Sequence, residues 1–469
     1  MLLSSDITVI GASLYLLPVK TRIPLKFGKE TLTKVTCARV CLRSKNRSGK
    51  QVEGWGETPL SVTWVWPSQL SVEARETALI ALCKQLTYAW AEFKFTGDVL
   101  EVGHAFQKKV LPEVLKAVNA QFAPQEEIPL LAALVCCSAF DIALHDCFGL
   151  LADKPIYELY SRDYLNKDLA YYLEPAKESG VSFKGLYPAD FFVKNPPTKL
   201  PVWHLVGGMD AVLESELTGN EPKDGRPVLF RDWITTDGLK CIKIKLRGND
   251  SAWDYKRLVE VGTISEANAV TTLTADFNCT VEDPQYVIAI LDQLKKSHPS
   301  IYDKILYIEQ PFPYDLEKYP IDVKKLSAIK LLFLDESAHD WTCVALGRSL
   351  GWTGVALKTC KTQTGAIFSA CWAKAHNMAL MVQDLTNPML AMLPHVQLAA
   401  HVGTIMGLEC NGMQFYPDAS LPENEIHPGI FTRRNGVVDL STIKGSGFGY
   451  RLSEIKRTLP EIIVDCMKG

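Results

Sequence analysis

No basic run interleaved with aromatic residues occurs in this 469-residue chain, and 50 basic against 53 acidic residues leave a formal charge of only −3. That balance argues against a nucleic-acid or other polyanion partner. The N-terminal stretch Met1-Leu-Leu-Ser-Ser-Asp6 lacks a basic n-region, and no uninterrupted apolar run reaches the roughly 18 to 20 residues of a membrane span. A soluble, cytoplasmic protein without a membrane or nucleic-acid partner is expected. Thirteen cysteines are an odd number, and neither Cys37-Ala-Arg-Val-Cys41 nor Cys136-Cys137 has zinc or thioredoxin spacing. Cys241, Cys279, Cys360 and Cys410 lie in or beside apolar strand-like runs and read as buried reduced thiols.

The chain is long enough, and at 47% hydrophobic apolar enough, for two domains. From Ile7 to about Trp55 it is strand-rich, with apolar pieces at 9–17 and 35–42 and a turn at Asn46-Arg-Ser-Gly49. From about Ser71 to Leu151 the period becomes helical, which predicts an α+β domain over residues 1–160. Residues 161–200, aromatic and proline-rich without a period, read as an ordered insertion. From 201 to 429 strand-like and helical segments alternate eight times. The first strand is Pro201–Val206, a helix is expected within Leu316–Ile329, and the last strand falls near Ile405–Cys410. This predicts an α/β architecture, a modified (β/α) TIM barrel carrying an N-terminal α+β capping domain. The Gly-rich segment 430–469 is expected to return to the capping domain and complete it.

Three of the barrel segments end in a carboxylate: Leu273-Thr-Ala-Asp276, Leu306-Tyr-Ile-Glu309 and Leu332-Phe-Leu-Asp335. A barrel gathers such ends at one mouth. Taken singly, each acid reads best as a helix cap. Three in consecutive units suit a hard divalent cation with oxygen ligands. Lys243 and Lys245, two apart in Cys241-Ile-Lys-Ile-Lys245, point to one face of their strand. Unpaired, they would be costly inside a barrel; facing acids at the mouth they are tenable. Lys358 lies four strands later, across the ring, so a substrate between Lys245 and Lys358 could meet a base on each side.

The ordered pattern Lys-x-Lys, Asp-x-Asn, Glu-Gln-Pro, Asp-Glu-Ser and Lys resembles the enolase superfamily, in its muconate lactonizing enzyme-like subgroup (the mandelate racemase/muconate lactonizing enzyme family). Gly54-Trp-Gly-Glu-Thr-Pro59, Ala139-Phe-Asp-Ile-Ala-Leu-His-Asp146 and Lys154-Pro-Ile-Tyr157 are similar to segments of its capping domain, so the resemblance covers most of the chain. It implies Mg²⁺, with Mn²⁺ able to substitute, held by Asp276, Glu309 and Asp335. Lys245 and Lys358 would be the acid/base pair, Lys243 would stabilise the bound carboxylate, and Asn278 and Glu336 would support them. The implied step is abstraction of a proton α to a carboxylate through an enediolate. The outcome would be racemisation or epimerisation, cycloisomerisation, or β-elimination of a small carboxylic acid. Substrate contacts would come from Phe27 and Trp64 in the capping loops and from Asp384 and Asn411 at strands seven and eight, and a homo-oligomer is expected by analogy. The chain departs from the racemase branch in having Gln383-Asp384, not histidine, on strand seven. It departs from dipeptide epimerases in having Glu409-Cys-Asn411, not Asp-x-Asp, on strand eight. The alternatives are a class I aldolase-type barrel forming a Schiff base at Lys358, or a non-catalytic barrel.

Overall fold

The computed structural model describes residues 3–27, 30–122 and 126–467. Its N-terminal residues build an antiparallel sheet from β1 (Ile7–Phe27), β2 (Glu30–Asn46) and β3 (Gln51–Pro59), with a short β4 (Thr96–Gly97) paired to β1. The first two arms run beyond the apolar pieces at 9–17 and 35–42, because the β1–β2 ladder absorbs irregularities near Gly11 and after Lys20.

Helix Leu130–Leu151 crosses this sheet. Gly56 permits the contact: a Cβ there would stand 2.0 Å from the Ala139 carbonyl oxygen. This helix is long and apolar enough to cross a membrane, with a mean hydropathy of 1.7 over its most apolar window, 94% of which is buried inside the protein. A search for an unbroken apolar run passes over it because Asp141, His145 and Asp146 interrupt it. Those polar groups are satisfied across the fold. Asp146 accepts from the backbone N–H groups of Trp55 and Phe448, each at 2.9 Å, and Asp141 accepts from Thr364 N at 2.8 Å.

Eight parallel strands form the second sheet: β5 (Lys199–Val206), β6 (Cys241–Lys245), β7 (Thr272–Asp276), β8 (Ile305–Glu309), β9 (Leu331–Leu334), β10 (Gly354–Leu357), β11 (Ala379–Val382) and β12 (Leu408–Glu409). They follow one another in chain order from β5 to β11, and β12 pairs with β5 on its other side, curling the sheet into a barrel. Near the β11–β12 seam Ile405 N bonds Leu380 O at 2.9 Å. Helices follow the strands, as the alternation predicts, with one local difference. The helix expected within Leu316–Ile329 is Lys324–Ser327, since Pro311, Pro313 and Pro320 keep the preceding chain out of helical conformation. The last strand is two residues rather than six, because the chain turns at Gly407 (φ 54°), pressed against the Pro201 carbonyl.

Strand β13 (Val437–Asp439) pairs antiparallel with β5, and β14 (Val464–Asp465) pairs with β1 in the N-terminal sheet. Segment 161–200 packs on the barrel helices Gln363–Ala375 and Met392–Val402: Trp372 Nε1 donates to Glu174 O at 2.8 Å, and Val193 N donates to His401 O at 2.8 Å.

Candidate active site

The barrel interior is layered. Trp203, Cys241, Tyr307, Phe333 and Met381 form an apolar plug from five strands. Above it the strand register aligns the charges: Lys245 pairs in register with Asp276, and Asp276 with Glu309. Because alternate residues of β6 face inward, Lys243 and Lys245 both enter the mouth while Ile242 and Ile244 pack outward. The chain leaves several of these strand ends through left-handed backbone at non-glycine residues: Asn278 (φ 45°), Cys279 (φ 63°), Gln310 (φ 30°) and Thr362 (φ 76°). Such conformations cost energy and concentrate where geometry is constrained by function.

Asp276, Glu309, Asp335, Lys243, Lys245 and Lys358 are all buried. Lys243 Nζ donates to Glu309 Oε1 at 2.6 Å and to Glu409 Oε2 at 3.1 Å, and lies 3.0 Å from Asp276 Oδ2. Lys245 Nζ donates to Asp276 Oδ2 at 2.6 Å. Across the ring, Lys358 Nζ lies 3.3 Å from Asp335 Oδ2 and donates to the Asp384 carbonyl at 3.1 Å. Burial disfavours the charge on Lys243, but Glu309, Glu409 and Asp276 outweigh it and raise its pKa well above normal. Burial works against Lys358 too, and Asp335 more than compensates. Asp276 is held low by Lys245 and Lys243 against the effect of burial. Glu309 goes the other way: burial and Asp276 push it well up although Lys243 touches it. One ammonium is shared by three carboxylates, which leaves Glu309 short of compensation.

The supporting residues converge on the same cluster. Asn278 donates its N–H to Asp276 Oδ1 at 2.8 Å and its Nδ2 to Glu336 Oε1 at 3.2 Å. Trp64, on the short helix Val62–Val65 after β3, donates its indole N–H to Glu336 Oε1 at 2.9 Å. The Lys358 and Lys361 ammonium groups lie 5.3 and 5.7 Å from its ring centre. Asp384 accepts from Asn411 N at 2.9 Å; burial and Glu409 push its carboxyl up to about 7. Asn411 Nδ2 bonds Glu409 Oε1 at 2.5 Å. Thus Trp64, Asp384 and Asn411 border the mouth, whereas the Phe27 side chain and Gly28 fall outside the described residues.

Besides Glu409, three groups carry no role in the sequence reading. Lys361 bonds the Asp335 carbonyl and lies 3.5 Å from its Oδ1. Gln383 donates to Glu309 Oε2 at 2.5 Å. Gln310 braces Asp335, accepting from its N–H at 2.8 Å and donating to Ser337 Oγ at 2.7 Å. The Glu-Gln-Pro motif was the signal for Gln310; a lysine three positions after a strand-end lysine carries none.

Six carboxyl groups (Asp276, Glu309, Asp335, Glu336, Asp384, Glu409) and four ammonium groups (Lys243, Lys245, Lys358, Lys361) form the cluster, an excess of two acids that shows as the raised pKa of Glu309, Glu336 and Asp384. Asp335 Oδ1 and Glu336 Oε2 are buried and accept no hydrogen bond among the described residues. This donor chemistry, hard oxygens with uncompensated charge, fits a divalent cation. Among the described residues no three His, Cys, Asp or Glu side chains are arranged to enclose an ion as they stand. Lys243 lies among Asp276, Glu309 and Glu409 and sets their spacing.

A capped eight-stranded barrel with charged strand ends defines the class. Residues 228–456, just under half of the chain, match the family model described as enolase C-terminal domain-like. An aromatic dipeptide epimerase of Herpetosiphon aurantiacus is 26% identical over 254 residues, covering 53% of this chain and 66% of that protein, just under two thirds of its length. A mandelate racemase/muconate lactonizing protein structure from the same organism aligns with a TM-score of 0.60 at 18% identity, covering 95% of this chain and 98% of the other. The Pseudomonas fluorescens muconate lactonizing enzyme complexed with muconolactone gives 0.60 at 16% identity (96% and 99%). The Enterococcus faecalis dipeptide epimerase, complexed with Mg and L-Leu-L-Tyr, gives 0.61 at 13% (94% and 99%). At these identities the structures establish a shared fold.

Proposed function

We propose that this chain is an enzyme that removes and returns a proton at the carbon α to a carboxylate, racemising or epimerising a small carboxylic acid. The observation that carries this reading is the placement of Lys245 and Lys358 four strands apart with the acid cluster between them. Residues 1–160 and 430–469 would cap a barrel of residues 201–429. Asp276, Glu309 and Asp335 would hold Mg²⁺ or Mn²⁺, which when bound supplies charge neutralisation for the substrate carboxylate and the enediolate.

Each lysine addresses one face of the α-carbon. The residue that takes the proton must be neutral and the one that returns it must be charged. Lys358 as it stands is held charged by Asp335, which suits the donor. It becomes a base only when its neighbouring carboxylates are neutralised from another source. Lys243 would offer its ammonium to the substrate carboxylate. Asn278 holds Asp276 and Glu336, and Gln383 holds Glu309, in position. Cycloisomerisation and β-elimination start with the same proton removal; a lysine on each side favours its return. A Schiff base at Lys358 would leave the three strand-end acids without a purpose.

The test is proton exchange by NMR in D₂O with Mg²⁺, over dipeptides, N-acyl amino acids, muconates and acid sugars. One α-proton signal should disappear when Mg²⁺ is present, and should persist after EDTA treatment and with Lys245→Ala. Full activity of Lys245→Ala would refute the reading.

A further inference from the structure

A cavity of about 890 Å³ lies between the N-terminal half and the loops after β7, β8 and β9, within the size range of small-molecule sites. Trp64 and Glu336 belong both to its wall and to the charged cluster, so it adjoins the mouth. Its polar lining is acidic. Among the described residues of the wall, Glu30, Glu126 and Glu336 face one cation, Arg75, and Arg75 is already committed to Glu30 through bonds of 2.9 and 2.6 Å. Glu126 accepts from two neutral donors, Trp66 Nε1 at 3.2 Å and Ser68 Oγ at 2.6 Å. Glu336 is 6% exposed, and its Oε2 accepts no hydrogen bond among the described residues. A buried carboxylate oxygen without a donor costs free energy that a charged donor would recover. Between these acids the wall is apolar and aromatic, with Trp64, Leu70 and Tyr314.

We propose that this cavity binds a cationic group, an ammonium or guanidinium carried on an apolar chain, as the distal end of the substrate. The assignment of the distal end rests on the proton-transfer reading above; the cation site itself does not. Glu126 supplies charge at the outer wall, Glu336 Oε2 accepts at the inner end, and the Trp64 and Tyr314 rings flank the aliphatic stem. A neutral isostere fills the same space but leaves both carboxylates uncompensated, so discrimination comes from charge.

Calorimetric titration with Nα-acetyl-L-arginine and its neutral isostere Nα-acetyl-L-citrulline tests this, on the full chain and on Glu126→Gln and Lys358→Ala. The arginine compound is expected to bind at least about tenfold more tightly, the scale of one charge-assisted hydrogen bond. Glu126→Gln, a change in a half-buried side chain, should bring the ratio close to one with the circular dichroism spectrum unchanged. Lys358→Ala should keep the preference. Equal affinities, no binding of either compound, or a preference that survives Glu126→Gln would overturn the proposal. A preference without α-proton exchange would sustain the cavity and refute proton transfer; exchange without a preference would do the reverse.

Discussion

Charge is buried in two places in this molecule, and it is arranged differently in each. Where the N-terminal sheet meets helix Leu421–Ile426 and the C-terminal segment, Arg39 bonds Glu57 and reaches Glu423 Oε1 at 3.4 Å, and Arg457 Nε bonds Glu423 Oε1 at 2.6 Å. Two arginines match two glutamates, so the formal charges balance, although Glu57 Oε1 is buried and accepts no hydrogen bond among the described residues. At the barrel mouth six carboxylates outnumber four lysines, and one ammonium serves three acids. A charge-matched set locks parts of the fold together. An unmatched set is unstable by itself, and persists because something else completes it.

The sharpest break between the two regions comes from removing one charged group in each. Lys245→Ala or Lys358→Ala should lower the rate of α-proton exchange per folded molecule by about 10³-fold, within the usual contribution of a general acid or base. Glu423→Ala should instead destabilise the fold by about 3–5 kcal/mol, since it strands Arg457 and leaves Arg39 with Glu57 alone, while the rate per folded molecule is retained. Denaturant unfolding measures the second and NMR exchange the first.

A smaller effect separates the regions by pH. Burial, with Glu423 adding to it, lifts the Glu57 carboxyl to about 7 despite Arg39, and burial with Asp276 lifts Glu309 well above its ordinary 4.5. In both cases the folded chain keeps a proton that the unfolded chain releases. Their stabilising contribution is therefore full below about pH 4.5 and is lost as pH rises, through about 7 for Glu57. Saturating Mg²⁺ should abolish the Glu309 share of this decline and leave the Glu57 share, which thermal melts across pH 4 to 8 would resolve. Smallest is Trp64→Phe, which keeps the ring and deletes the donor to Glu336. A loss of up to about tenfold in kcat is expected, the worth of one hydrogen bond to a charged group, and the melting temperature should barely move.

The parts of the site carried by local pattern are legible in the sequence. Asp276, Glu309 and Asp335 announce themselves because an apolar strand ending in a charge is locally odd, and the eight-fold alternation orders them around one mouth. The two-residue spacing of Lys243 and Lys245 fixes their shared face. What escapes is whatever depends on closure of the ring. Glu409 pairs with Lys243 only because β12 lies beside β5, 166 positions from its partner in sequence. The Trp64–Glu336 bond spans 272 positions and joins the two halves of the molecule, so packing and contact with the site could not be told apart beforehand. Lys361 sits on a turn after β10, where no period indicates which way a side chain points.

The most direct test is calorimetric titration of Mg²⁺ into metal-free protein, beside Asp276→Asn and Glu309→Gln. One ion per chain is predicted for the unaltered protein, with proton release on binding and loss of binding in both variants. Absence of binding, or binding untouched by either substitution, would contradict the claim that the charge surplus at the mouth is completed by a divalent cation.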